Sequence, residues 1–179
     1  ENCPNPVLST SQTQFDCSDL TLSPIAVTLT VTDASGNSGS CPANVTVLDL
    51  EKPTAVCQAI TVQLDGNGQV SIAGSQIDGG STDNCVTLTY SAAPNTFDCS
   101  NTGSNTVTLT VTDGSTNTDD CVTTVFVEDV TAPDAICQDI TINLDASGNA
   151  SIVASQVDNG SSDNCATVSL SANPTTFDC

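Results

Sequence analysis

What most limits the folds open to this chain is an internal repeat. The run CQAITVQLDGNGQVSI, opening at Cys57, returns as CQDITINLDASGNASI at Cys137, 80 positions on (137 − 57). DNCVTLTYSAAPNTFDC at 83–99 returns as DNCATVSLSANPTTFDC at 163–179, and an altered copy, ENCPNPVLSTSQTQFDC, fills residues 1–17. TVTLTVTDGSTNTDDC at 106–121 matches AVTLTVTDASGNSGSC at 26–41. A repeat of this length settles the architecture before any local propensity does. The 179 residues therefore divide into the C-terminal part of a first repeat (1–48), a complete repeat (49–129) and the N-terminal part of a third (130–179). Each repeat has the size of a small domain. Repeats broken at both ends lead us to expect a segment of a much longer protein.

Within the repeat, apolar and hydroxyl residues alternate with a period of two. Val27, Leu29 and Val31 alternate with Thr28, Thr30 and Thr32, and Val107, Leu109 and Val111 recur in the same way. That is the pattern of a half-buried strand. Ile60, Val62 and Leu64 form a first strand, DGNG at 65–68 reads as a hairpin turn, and Val70 and Ile72 begin the return. Val86, Leu88 and Tyr90 start another strand that Pro94 ends, and Val125 and Val127 lie on the last. The links at 50–54 and 130–134 each carry a proline, which stops a strand. Short alternating strands, turn signals every 8–12 residues and no amphipathic helix predict an all-β fold of sandwich repeats arranged head to tail.

Charge and composition narrow the function. One basic residue, Lys52, stands against 21 acidic ones, a net charge of −20. That excludes nucleic acid as a partner, since phosphate recognition needs Lys and Arg. It suits a self-repelling surface that collects cations. No apolar run approaches the length of a bilayer crossing, so no direct membrane insertion is expected. With no His and no Arg, most general bases and anion clamps are missing, and an enzyme is not expected. The TxTxT faces invite a glycan- or ice-binding reading. Their alternation with Val and Leu explains them as the wet face of a sandwich strand.

The chain has four Phe, one Tyr and no Trp or Met, so the core is built from Val, Ile, Leu and Ala. Such a core is thin at this size, and covalent staples help. Ten Cys supply them, which points to an oxidising, extracellular setting. No CxxC pair and no His support zinc. In a head-to-tail array, Cys57 opens the first strand and Cys121 the last, so the two are neighbours. Cys85 and Cys99 flank the stretch around Pro94 and close it. Cys3–Cys17 and Cys165–Cys179 are then copies of Cys85–Cys99, and Cys41 and Cys137 have partners outside the segment. A bond from Cys121 to Cys137 is excluded, because a strand of about nine residues at ~3.3 Å each separates them and a disulfide needs Cα atoms within ~7 Å.

The cysteines together with LDGNG (64–68), DNC (83–85), TVTLTVTD (106–113) and FVED (126–129) resemble the hyalin repeat. The closer likeness is to its four-cysteine form, found in tandem in very large surface adhesins of gliding Bacteroidetes. The resemblance covers the whole chain. It implies an immunoglobulin-like fold, export through the type IX secretion system, a place on the cell surface and a role in adhesion and gliding motility. Glu1 replaces the Asp of DNC in the first copy.

Calcium is the cofactor these residues suit, since Ca²⁺ takes oxygen ligands from Asp, Glu, Asn and backbone carbonyls. Glu128 and Asp129 leave one repeat beside the Asp65 turn, and Asp134, Asp163 and Asn164 face back from the next. A calcium cluster at the repeat junction is therefore expected from these six residues. The expected function is a structural stalk segment of an extracellular adhesin, its immediate partners being neighbouring repeats of the same chain. The alternatives are a calcium-dependent module binding a surface glycan or protein, and a self-assembling filament subunit.

Overall fold

The computed structural model describes residues 6–85 and 87–178. They are mostly β. The strands are β1 (Val7–Thr10), β2 (Ile25–Thr32), β3 (Ser38–Val45), β4 (Ile60–Gln63), β5 (Gln69–Ser71), β6 (Thr89–Ala93), β7 (Thr96–Asp98), β8 (Gly103–Thr112), β9 (Thr118–Glu128), β10 (Asn149–Ser151) and β11 (Thr176–Asp178). Helical structure among the described residues is limited to short 3-10 turns and one α-helical turn, Ala154–Val157. Among the described residues, no helix is long and apolar enough to cross a membrane. The chain forms two compact units. One holds the residues up to Ala55 with Ser81–Thr89 and Val111–Asp119, and the other holds Val56–Gly80, Tyr90–Thr110 and the chain from Asp120 onward.

In the first unit, β1, β2 and β3 form an antiparallel sheet in that order, with Leu8 opposite Val31 and Leu29 opposite Cys41. Val27 of the alternating β2 is buried. Pro42 lies on β3, an edge strand, where a missing N–H costs least. The β2–β3 turn is built by Asp33, whose Oδ1 accepts the N–H groups of Ser35 and Asn37 at 2.8 Å each. Gly36 supplies its left-handed position at φ +85°. The turn after β8 repeats this arrangement at Asp113.

The second unit contains a four-stranded sheet in the order β4-β9-β8-β6, with β4 parallel to β9, and two further strand pairs, β5-β7 and β10-β11. Ile77, Val107, Leu109, Val125 and Val127 are fully buried, and Leu64, Ile72 and Phe97 nearly so. The Thr residues of β8 lie between these on the other face, as the period of two requires. The 65–68 turn forms as expected, with Asp65 N–H to Gln69 O at 2.9 Å. It does not, however, make a hairpin: β5 leaves β4 and pairs with β7. Val70 gains the buried Phe97 as its cross-strand partner there, and β4 sets Ile60 and Val62 beside Val125 and Val127. The turn therefore carries the chain between sheets.

Among the described residues, three disulfides join the chain: Cys17–Cys85, Cys57–Cys121 and Cys99–Cys165. Cys57 precedes β4 and Cys121 lies in the first half of β9, the strand parallel to it, with their Cα atoms 6.0 Å apart. The expected Cys85–Cys99 bridge is not present. Between these residues the chain does not fold back on itself: β6 belongs to the four-stranded sheet and β7 pairs with β5. An extended path at ~3.3 Å per residue soon exceeds the ~7 Å that a disulfide spans. Since Cys17 and Cys165 bond to Cys85 and Cys99, the expected Cys3–Cys17 and Cys165–Cys179 bridges are also ruled out. Cys3 and Cys179 themselves lie outside the described residues. Cys41 and Cys137 are free and exposed.

Candidate functional site

The two bridges that replace Cys85–Cys99 have one design. Cys17 and Cys99 each begin a 3-10 turn, Cys17–Leu22 and Cys99–Asn101. The aspartate before each caps its turn: Asp16 accepts from Ser18 N–H and Oγ–H at 2.9 and 2.6 Å, and Asp98 from Ser100 at 2.8 and 2.6 Å. These bonds, the serine hydroxyl foremost, hold both carboxyls below the usual aspartate range. Cys17 Sγ then lies 3.5 Å from Asn84 O, and Cys99 Sγ lies 3.3 Å from Asn164 O. In sequence terms, the cysteine of FDC at 15–17 and at 97–99 bonds to the cysteine of the following DNC. Gly68, at φ +72°, lies so close to the second bridge that a Cβ there would run into Cys99 Sγ.

Each residue of DNC has a distinct task. At 83–85, Cys85 carries the bridge, its N–H donates to Asp83 Oδ2 at 2.8 Å, and Asn84 Nδ2 donates to Asp49 Oδ1 at 3.3 Å. At 163–165, Cys165 carries the bridge, its N–H donates to Asp163 Oδ2 at 3.0 Å, and Asn164 Nδ2 donates to Asp65 O and Thr131 Oγ1 at 3.0 and 3.2 Å.

Around the first DNC, three carboxylates converge. Asp49, Asp83 and Asp113 each place an oxygen within 4.8 Å of the others. Asp113 is only 5% exposed. Burial works to raise its pKa, but hydrogen bonds from the Asn117 side chain and from the backbone of Asn117, Ser115 and Thr116 outweigh it and hold the carboxyl below the usual value. It is therefore ionised at neutral pH. Asn117 Nδ2 bridges Asp113 Oδ2 at 2.8 Å and Asp49 O at 3.2 Å. Asp49 Oδ2 and Asp83 Oδ1 are buried and accept no hydrogen bond.

The residues expected to bind calcium are placed otherwise. Asp65 spends its Oδ1 on the N–H groups of Gln69 and Asn67 at 3.0 and 2.9 Å, and those bonds lower its pKa. Glu128 ends β9 opposite Gln63. Asp129 Oδ1 accepts from Thr131 N–H at 3.1 Å, and Asp134 bridges to Ser162 through backbone. Asp163 Oδ1 and Asn164 Oδ1 are buried without a partner. Among the described residues, these six make no three-carboxylate group like that of Asp49, Asp83 and Asp113. Asp129 and Asp163 are nonetheless the counterparts, 80 positions on, of Asp49 and Asp83. The signal for the third member was present in the sequence: Asp113 recurs at Asp33, in the same T-D turn.

No family model matches the chain, and no curated protein matches it. Among solved structures it is similar to the extracellular cadherin domains 1–4 of protocadherin gamma B7, with 14% identity and a TM-score of 0.34. The match covers 84% of this chain and 46% of that one. At that score the likeness identifies neither a family nor a function.

Two kinds of chemistry remain open to this arrangement. Bridges between segments 68 and 66 residues apart constrain the chain mechanically. Clustered carboxylates with unpartnered oxygens attract cations.

Proposed function

We propose that this chain is a length of stalk from an extracellular, cell-surface adhesin, in which disulfides link each repeat to the next and bear load. The observation that carries this reading is the recurrence of one bridge, from FDC to the next DNC, at Cys17–Cys85 and Cys99–Cys165. The two bonds short-circuit the polypeptide. Between Cys17 and Cys165 lie 148 positions (165 − 17), but a pulled chain needs to straighten only the 14 between Cys85 and Cys99 (99 − 85). At ~3.5 Å per extended residue, that limits this stretch to ~50 Å, against ~500 Å without the bonds. Cys57–Cys121 overlaps both loops and ties β4 to β9 independently. Disulfides persist outside the cytosol, which suits a secreted protein. The serial, immunoglobulin-like repeats of the hyalin class fit the same role, since repeats that contact mostly their neighbours extend length without new design. An acidic surface with one Lys and no Arg or His offers little to a nucleic acid or to acid–base catalysis, and we assign the chain neither.

Single-molecule stretching between residues flanking Cys17 and Cys165 tests this. Oxidised protein should release ~50 Å over the stretch and reduced protein ~500 Å. Equal extension in both states would defeat the proposal.

A further inference from the structure

We infer that Asp49, Asp83 and Asp113 form a calcium site. It depends on no part of the stalk reading. Three observations meet at it. The three carboxylates present oxygens within 4.8 Å of one another. Two oxygens bound to one Ca²⁺ at ~2.4 Å each can be at most ~4.8 Å apart, so the spread fits a single coordination sphere.

The second observation concerns what the oxygens lack. Asp49 Oδ1 accepts from Glu51 N–H and Asn84 Nδ2, and Asp83 Oδ2 accepts from Cys85 N–H. Their other oxygens, Asp49 Oδ2 and Asp83 Oδ1, are closed to solvent and have no donor, while Asp113 is 5% exposed. A buried carboxylate oxygen without a donor is costly, and three neighbouring carboxylates repel one another. A divalent cation resolves both problems. Asp49 also lines an open cleft of about 780 Å³, together with Leu48, Leu50, Ser115 and Asn117.

The third observation is recurrence. Asp163 Oδ1, the counterpart of Asp83 Oδ1, is also buried and without a partner, as is Asn164 Oδ1 beside it. Its chain neighbours hold it the same way, through Cys165 N–H on Oδ2. The position therefore keeps one oxygen free in both copies. Asp49, Asp83 and Asp113 all lie within the 49–129 repeat, so the bound ion would tie the opening of that repeat to its DNC loop and to the turn after β8.

The test uses the intact, oxidised 179-residue chain. Equilibrium dialysis with Ca²⁺ should show binding at this site, and Ca²⁺ should raise Tm relative to EDTA more than equimolar Mg²⁺ does. Asp49→Asn and Asp83→Asn keep one acceptor oxygen for the existing donors and replace the free one with an amide. Each should weaken calcium binding about tenfold or more, because affinity follows ligand charge. In EDTA the variants should melt at or above the parent, since repulsion is relieved. Parent protein that binds no Ca²⁺ at millimolar concentration, or variants that bind it as tightly as the parent, would overturn the site. If a variant does not fold, the parent's dialysis and melting results decide.

Discussion

At the scale of single residues, turn chemistry governs much of the chain. Asp33 and Asp113 build the same five-residue turn, each taking two backbone N–H groups on Oδ1. The turn needs a left-handed residue at its fourth position. Gly36 fills it at φ +85°, but the second copy places Thr116 there at φ +74°. A β-branched residue in that region is strained by roughly 1–2 kcal/mol. Thr116→Gly should therefore stabilise the protein by about 1 kcal/mol, measured by denaturant unfolding, provided that the entropy glycine adds to the unfolded chain offsets only part of the relief. A destabilised variant would show that the Thr116 side chain contributes more than its backbone costs. These turns were legible, because Asp, Ser, Gly and Asn at fixed offsets specify them directly. The cluster of Asp49, Asp83 and Asp113 was not. Its members are 34 and 30 positions apart (83 − 49, 113 − 83), and no local pattern brings such residues together.

At the scale of elements, the alternation of Val and Leu with Thr located the strands and their buried faces: Val107, Leu109 and Val111 are all fully buried. Pairing was less legible than existence. DGNG at 65–68 is the turn it promised to be, but whether β5 then returns along β4 depends on Phe97, distant in sequence, which offers Val70 a buried partner on β7. The same turn carries a second constraint, its contact with a disulfide. Gly68→Ala puts a methyl group against Cys99 Sγ and strains a position at φ +72°. The variant should lower Tm and reduce the yield of the Cys99–Cys165 bond on oxidative refolding, while Cys57–Cys121 forms normally. A variant with parental Tm and full bond yield would mean that the turn shifts freely and does not fix the bridge.

At the scale of the whole molecule, the repeat predicted which cysteines were equivalent but not which were bonded. Four cysteines per repeat allow pairing within a repeat or between repeats, and both respect the period. Cys57 and Cys121 could be paired from strand direction, because both lie toward the starts of strands that run the same way. The stretch from Cys85 to Cys99 looked like a closed loop, since Pro94 lies in its middle. It instead passes from one sheet to another and sends each cysteine to a different repeat. The mechanical account depends on that difference. Bonds within repeats would leave the joints between them open to extension, and bonds between repeats close them. Mapping of disulfide-linked peptides from the unreduced chain after cleavage before Asp tests it most directly. The peptide Asp83–Phe97 should be joined to Asp16–Ser18, and Asp98–Thr112 to the peptide opening at Asp163. Asp83–Phe97 joined to Asp98–Thr112 would place the bonds inside the repeat and contradict the account.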